Sequence, residues 1–197
     1  MRADSVRTVF LILVALAVAA VTGLGSAYYM TMGEPPFGQA RVGPWQAWPE
    51  IGSAAVDPYA RAVVAREGAL PLGAGEGLAF HAVEDSEGRA FDSACTYAVR
   101  GGVPVSRAWT LTVFDDAGDM PSNATGRNGF TSHEILRTPD GAIDIALARD
   151  VQPGNWLMLP GQGGFRLILR LYGTSVSAMT GVIEDGGLLR IDRLACP

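Results

Sequence analysis

An uncharged apolar run near the N-terminus is the feature that most constrains this chain. No charged residue occurs from Thr8 to Tyr29, and Val9 to Val21 consists almost wholly of Val, Leu, Ile, Phe and Ala. About 20 apolar residues in a helix are enough to cross the hydrocarbon core of a bilayer. Tyr28 and Tyr29 end the run, and tyrosine rings favour the membrane–water interface. The sequence therefore predicts a single transmembrane helix over residues 8–29.

The basic residues that flank this helix predict its orientation. Arg2 and Arg7 precede it, whereas the next basic residue after it is Arg41. The positive-inside rule then places residues 1–7 in the cytoplasm and the rest of the chain across the membrane. A cleaved signal peptide is the alternative, because the small residues 26–27 suit a cleavage site. The apolar run is longer than the roughly 7–15 residues of a signal peptide, which favours an uncleaved anchor, and both options export the domain.

The two cysteines of the chain, Cys95 and Cys196, indicate an oxidising compartment. In an exported domain an even number of cysteines predicts a disulfide, whereas in a cytosolic protein the two would be small buried apolar residues. A catalytic thiol would need a nearby base, and the chain offers two histidines, His81 and His133. We therefore expect a structural disulfide that holds the C-terminus.

The exported part is predicted to begin with a linker and a short helix. Residues 30–56 form a linker and N-terminal extension rich in glycine and proline, and residues 57–197 form one periplasmic domain. Asp57 suits a helix N-cap, Pro58 suits the first helical position, and Gly68 suits the stop. These residues predict a helix that ends at Glu67.

The rest of the chain reads as short strands separated by turns. Turn sequences occur at 85–88, 138–141, 160–164 and 185–187, and residues 116–129 form a long polar loop. The predicted strands are 78–83, 89–92, 94–100, 107–115, 135–136, 142–148, 155–159, 165–172, 179–184 and 188–191. This pattern indicates a mainly β, antiparallel sandwich or barrel with one or two short helices, and it does not fit a βαβ fold.

Several classes of function lack their sequence signals. The net charge is -5 and no run of Lys or Arg follows residue 30, so we expect no nucleic-acid partner. Two histidines are too few for a cupin-like metal site, so we expect no metal and no cofactor. The adjacent carboxylates at 115–116 and 184–185 lie at predicted turns and are interpreted as solvated turn residues.

A set of polar residues is the best candidate for ligand binding. In FRLILRLY (Phe165 to Tyr172) the alternation places Arg166, Arg170 and Tyr172 on one face, and arginine binds anions through forked hydrogen bonds. We hypothesise that Arg127, Arg170 and Tyr172 line an anion or sugar pocket, with Asn155 as a further ligand-binding candidate. Alternatively, the arginines pair with acids or lie in water, and Asn155 bonds the turn backbone. No catalytic residue is assigned.

Four motifs together resemble one known family: residues 57–73 (DPYARAVVAREGALPLG), 107–115 (RAWTLTVFD), 139–141 (PDG) and 154–172 (GNWLMLP…FRLILRLY). In order and spacing they are similar to the bacterial domain-of-unknown-function family numbered 1214, and the likeness runs from about residue 57 to the end. This chain resembles a short version of that family with a single span. The resemblance implies a jelly-roll-like β-sandwich and no particular reaction.

Two functions are compatible with these residues. The first is a non-catalytic binding or structural module of the bacterial envelope, anchored in the inner membrane with its domain in the periplasm, whose partner is an envelope protein or a glycan. The second is an exported hydrolase that acts on an envelope glycan or a small anionic substrate. A deep cleft with two carboxyl groups about 5–10 Å apart would favour the enzyme.

Overall fold

The computed structural model describes residues 2–123, 125–174 and 187–197. It divides into two compact units. Unit 1 comprises Met1–Phe37 and Val56–Leu70, and unit 2 comprises Gly38–Ala55 and Pro71–Pro197. The predicted strand 179–184, most of the turn 185–187 and the carboxylates at 184–185 lie outside the described residues.

Unit 1 contains the apolar helix. The helix α1 runs over Arg2–Thr31, and within it Ser5–Thr31 has a mean hydropathy of 2.5. This segment is long and apolar enough to span a membrane, a property that signal sequences share. All side chains from Ser5 to Tyr29 are exposed. The helix therefore presents apolar surface on every side, as expected for a helix whose surroundings are lipid.

The second helix of unit 1 begins and ends where its capping residues predict. The helix α2 runs over Pro58–Glu67, with the Asp57 carboxylate accepting hydrogen bonds from the backbone N–H groups of Tyr59 and Ala60. Gly68 ends it in the left-handed conformation, with φ of 64°. Both caps supply partners to backbone groups that a helix leaves unpaired at its ends.

Unit 2 is built from two β-sheets. Among the described residues the strands are β1 (Ala40–Val42), β2 (Trp45–Ala47), β3 (Gly77–Ala82), β4 (Thr96–Gly101), β5 (Ala108–Asp115), β6 (Gly129–Thr131), β7 (Ile143–Ala148), β8 (Asn155–Met158), β9 (Phe165–Tyr172) and β10 (Arg190–Ala195). The six-stranded sheet has the order β1-β2-β3-β9-β5-β6, and the four-stranded sheet has the order β10-β4-β7-β8. The prediction of a mainly β chain with two helices is confirmed.

One hydrophobic core joins the two sheets. Alternate residues of each long strand point inward, such as Leu167, Leu169 and Leu171 on β9 and Tyr97 and Val99 on β4. At one end of the core the rings of Phe91 and Phe165 stack, with their centroids 4.4 Å apart. Two sheets that share a core in this way are consistent with a sandwich, while the jelly-roll connectivity stays a prediction.

The structure departs from the expected strands in two respects. β7 and β8 run parallel, although the strands were expected to be antiparallel. The Asn155 amide donates to the Asp144 carbonyl and so holds the start of β8 beside the start of β7. In addition, β1 and β2 lie within residues 30–56, where the sequence predicts a linker and extension. Trp45 on β2 is fully buried, and its indole N–H donates to the Leu189 carbonyl at 2.6 Å.

Cys95 and Cys196 form a disulfide in the structure. Cys95 directly precedes β4 and Cys196 directly follows β10, and these two strands pair with each other. Among the described strands β10 pairs with β4 alone, so the disulfide fastens the C-terminal end of the chain to a strand that is paired on both sides.

Candidate functional site

The candidate site is the outer face of the six-stranded sheet, the face turned away from the core. β9 is central in this sheet, with β3 on one side and β5 on the other. Because side chains alternate along a strand, the residues of β9 between the core leucines share the outer face. These residues are Arg166, Ile168, Arg170 and Tyr172.

The neighbours of Arg170 and Tyr172 on this face are small. Ala79 of β3 and Thr110 of β5 lie opposite Arg170, while Gly77 and Ala108 lie opposite Tyr172. The long side chains of Arg170 and Tyr172 therefore have short side chains on both sides.

The guanidinium group of Arg170 leans along β9 toward Arg166. It lies 5.9 Å from the ring of Phe114, and Phe114 is the residue of β5 that pairs with Arg166. In the described part of the chain, neither guanidinium forms a hydrogen bond or an ion pair with a protein group. Two positive charges thus lie on one half-buried face without a carboxylate partner there, an arrangement that an anion would stabilise.

His81 lies on the same outer face of the sheet, near both arginines. It lies on β3 opposite Ile168, midway along the strand between the two arginines, and its ring contacts the buried Trp48 edge-on at 5.7 Å. Burial, and then the positive charges of Arg170 and Arg166, lower the pKa of His81 from 6.5 to about 4. The imidazole is therefore neutral near pH 7, so it can donate one hydrogen bond to a ligand and accept another.

Arg127 belongs to different surroundings. It lies in the loop between β5 and β6, where its backbone N–H donates to the side chain of Asn123. Its guanidinium covers the ring of Phe130 at 4.8 Å, and that ring is part of the hydrophobic core. The structure thus brings Arg170 and Tyr172 together on one face, and it gives Arg127 contacts with its own loop and with Phe130.

Asn155 lies in the four-stranded sheet, apart from the arginines of the other sheet. Its amide donates to the carbonyls of Leu136 and Asp144, and its side-chain oxygen accepts from the Leu136 N–H. All of these partners are backbone groups, so the contacts of Asn155 are those of a buried residue that fixes a turn.

A second charged group surrounds the buried Asp85. Its carboxylate accepts hydrogen bonds from the backbone N–H groups of Glu87 and Arg89 and from the Arg89 side chain, and Arg193 Nε lies 3.3 Å away in an ion pair. Burial alone raises the pKa of Asp85, but the hydrogen bonds from Arg89 and Glu87 outweigh it and hold the pKa below its usual value. This fully bonded carboxylate joins the turn after β3 to β10 and suits a structural role.

The other acidic and basic candidates lie at the surface. Asp115 accepts hydrogen bonds from Ala117 N and Asp119 N, Asp116 accepts from Gly164 N, and exposed His133 contacts Ser132. Across residues 2–123, 125–174 and 187–197, no three His, Cys, Asp or Glu side chains are grouped so that they could hold a metal ion. A cavity of about 230 Å³ beside Trp45 is mainly apolar, and its one charged lining residue, Arg190, pairs with Asp192.

Comparison with known proteins places this site in a family context. Residues 76–176, just over half of the chain, match the family model described as "Protein of unknown function (DUF1214)". The chain belongs to this family. The resemblance to this family is thereby confirmed, and three of the four motifs, all but the one at 57–73, lie within the matched residues. The DUF1214 region contains His81, Arg166, Arg170 and Tyr172, whereas Trp48 lies before it. No curated protein is significantly similar in sequence to this chain.

Two solved structures are similar to this DUF1214 chain. The VPA0106 protein from Vibrio parahaemolyticus is 20% identical with a TM-score of 0.61, over 91% of this chain and 44% of that one. An uncharacterised protein from Burkholderia cenocepacia is 18% identical with a TM-score of 0.43, over 61% of this chain and 30% of that one. The first shows a shared fold, and the present chain spans less than half of its length.

The alternation in the sequence placed Arg166, Arg170 and Tyr172 on one face, but it did not predict that β3 pairs with β9. The alternation in β9 is local, so it identified Arg166 and Arg170. His81 joins them because β3 pairs with β9, and the paired residues Gly77 and Tyr172 are far apart in the chain. A histidine among small residues in an alternating strand is the one local signal that could have drawn attention to it.

Proposed function

We propose that this chain is a membrane-anchored binding module of the bacterial envelope that holds an anionic ligand on the outer face of its six-stranded sheet. The observation that carries the proposal is that Arg166 and Arg170 lie on one half-buried face without a carboxylate partner in the described residues. An anion bound there would offset their positive charge and accept forked hydrogen bonds from them. His81 and Tyr172 add neutral hydrogen-bonding groups, which suit a sugar acid or a phosphate ester.

The helix α1 and the disulfide both support the proposed location of the module. An apolar helix whose side chains are exposed from Ser5 to Tyr29 needs an apolar medium, and by the positive-inside rule Arg2 and Arg7 favour a cytoplasmic N-terminal end. The Cys95–Cys196 disulfide requires an oxidising compartment, which agrees with that orientation. We therefore propose an inner-membrane anchor at residues 8–29 with the β-domain in the periplasm.

Calorimetric titration of the full-length protein in detergent micelles tests the ligand class. The probes are inorganic phosphate, glucuronate and neutral glucose. We expect the two anions to bind and glucose to bind much more weakly, since forked hydrogen bonds to arginine require an anionic partner. Arg166→Gln and Arg170→Gln should each weaken anion binding by roughly tenfold or more, because hydrogen bonds between charged groups contribute about 1.5–3 kcal/mol.

The matched control is Arg100→Gln. Arg100 lies on the four-stranded sheet in an exposed ion pair with Asp144, so its substitution removes the same charge elsewhere. Equal loss of binding in all three variants would show a general charge effect and would contradict the proposed site. Hydrolysis of a glycan by the wild-type protein would establish the hydrolase alternative instead.

A further inference from the structure

Unit 1 carries a group of exposed aromatic side chains that extends beyond the apolar helix. Tyr28 and Tyr29 lie at the end of α1, and Phe37 follows it. The Phe37 ring packs edge-on against the Tyr59 ring of α2, with the centroids 6.1 Å apart. All four rings are exposed, from 39% for Tyr59 to 80% for Tyr29. Aromatic rings in such numbers are typical of the membrane–water interface.

Arg66 connects α2 to the end of α1. Its guanidinium donates to the Thr31 carbonyl at 3.1 Å, contacts the sulfur of Met32, and lies 5.6 Å from the Tyr28 ring centroid. Thr31 is the last residue of α1, and carbonyls at a helix C-terminus lack a partner within the helix. Arg66 therefore caps α1 and fixes the C-terminal end of α2 beside it.

The length of α1 determines the depth at which this contact lies. Ser5–Thr31 comprises 27 residues, and at about 1.5 Å per residue it is about 40 Å long. That length equals the thickness of a bilayer including its headgroups, about 40–45 Å. Thr31, and the guanidinium bound to it, are therefore at the level of the lipid headgroups when α1 spans the membrane.

We propose that Phe37, Tyr59 and Arg66 form a second membrane contact, in which α2 lies in the headgroup layer and Arg66 binds the phosphate of an anionic phospholipid. The inference rests on the proposed anchor. A guanidinium has five N–H donors, so Arg66 can bond Thr31 and a phosphate together. The aromatic rings supply apolar contact with the upper acyl chains.

Hydrogen exchange of the full-length protein in nanodiscs tests this contact. Discs of phosphatidylcholine alone are compared with discs that also contain phosphatidylglycerol, and exchange is followed in the peptide 58–67. We expect the amides of α2 to exchange roughly fivefold more slowly with the anionic lipid, the effect of one basic residue at an anionic surface. Arg66→Gln should remove the difference between the two lipids.

Arg61→Gln is the matched control on the same helix. Arg61 is exposed and, at 100° per residue, lies about 140° around the helix from Arg66. Its substitution should preserve the lipid dependence. Equal exchange in both lipids, or loss of the dependence in both variants, would overturn the inference while the protein remains inserted. Failure of the protein to insert into either disc would instead refute the anchor.

Discussion

His81 shows how the environment of one residue couples the candidate site to stability. The ring is packed against Trp48 and lies near two arginines, and each of these neighbours disfavours its protonated form. A bound anion would reverse the electrostatic part of this effect. The residue therefore reports on the occupancy of the site as well as on the folded state.

The free energy of unfolding is expected to fall as the pH is lowered from 6.5 to 4. His81 binds a proton near pH 6.5 in the unfolded chain but near pH 4 in the folded protein, so the unfolded state carries more protons between these values. The loss attributable to His81 is on the order of 3 kcal/mol. Denaturant titrations across this range should show a shallower dependence for His81→Asn than for the wild type.

His133→Asn provides the control for this experiment. His133 is exposed and contacts Ser132, so its substitution should leave the pH dependence of the wild type in place. Asp85 affects the free energy of unfolding only at lower pH. Because its pKa is lowered in the folded protein, its stabilising contribution is lost as the pH falls below the usual carboxyl range. If the free energy of unfolding has the same pH dependence in the wild type and in His81→Asn, the burial of His81 beside two arginines is contradicted.

β10 makes contacts with distant parts of the chain. It pairs with β4, its Arg193 reaches the buried Asp85, and the disulfide joins Cys95 to Cys196 across 101 residues of sequence. Ser86 exchanges hydrogen bonds with Ile191 in addition. These contacts keep the C-terminal strand in place.

Reduction of the disulfide should lower the free energy of unfolding by about 4 kcal/mol, since a bridge that closes a loop of about 100 residues contributes up to about 4.7 kcal/mol through chain entropy. We expect amide exchange to accelerate first in β10 and later in β5 and β9. The measurement is denaturant unfolding with and without reductant, alongside hydrogen exchange. The double variant Cys95→Ser and Cys196→Ser should not respond to reductant, and a wild type that does not respond either would contradict this role.

The elements that the sequence predicted well are those whose signals are local. α2 lies within the residues that Asp57, Pro58 and Gly68 define, and β5 and β9 follow their own alternation. The parallel pairing of β7 with β8 was not predicted, because short connections usually join antiparallel strands. The full candidate site could not be predicted, because it depends on the register between β3 and β9 and no local sequence pattern specifies that register.

At the scale of the whole molecule, two independent features point to the same compartment. Arg2 and Arg7 precede the apolar segment of α1 and favour a cytoplasmic N-terminus, and the disulfide at the far end of the chain needs an oxidising medium. Both features support the proposed periplasmic location of the β-domain.

We expect the protein purified from bacterial membranes to retain residues 1–30 and to resist extraction by alkaline carbonate, because an uncleaved span of this hydropathy stays inserted. Intact mass is the measurement, and a mature chain that starts near Ala27 would show a cleaved signal sequence. Replacing both Arg2 and Arg7 with Gln should lower the fraction of domain that protease reaches in spheroplasts, since the orienting charges are lost. Arg41→Gln, which alters a charge beyond the span, should leave that fraction unchanged, so the comparison separates orientation from total charge.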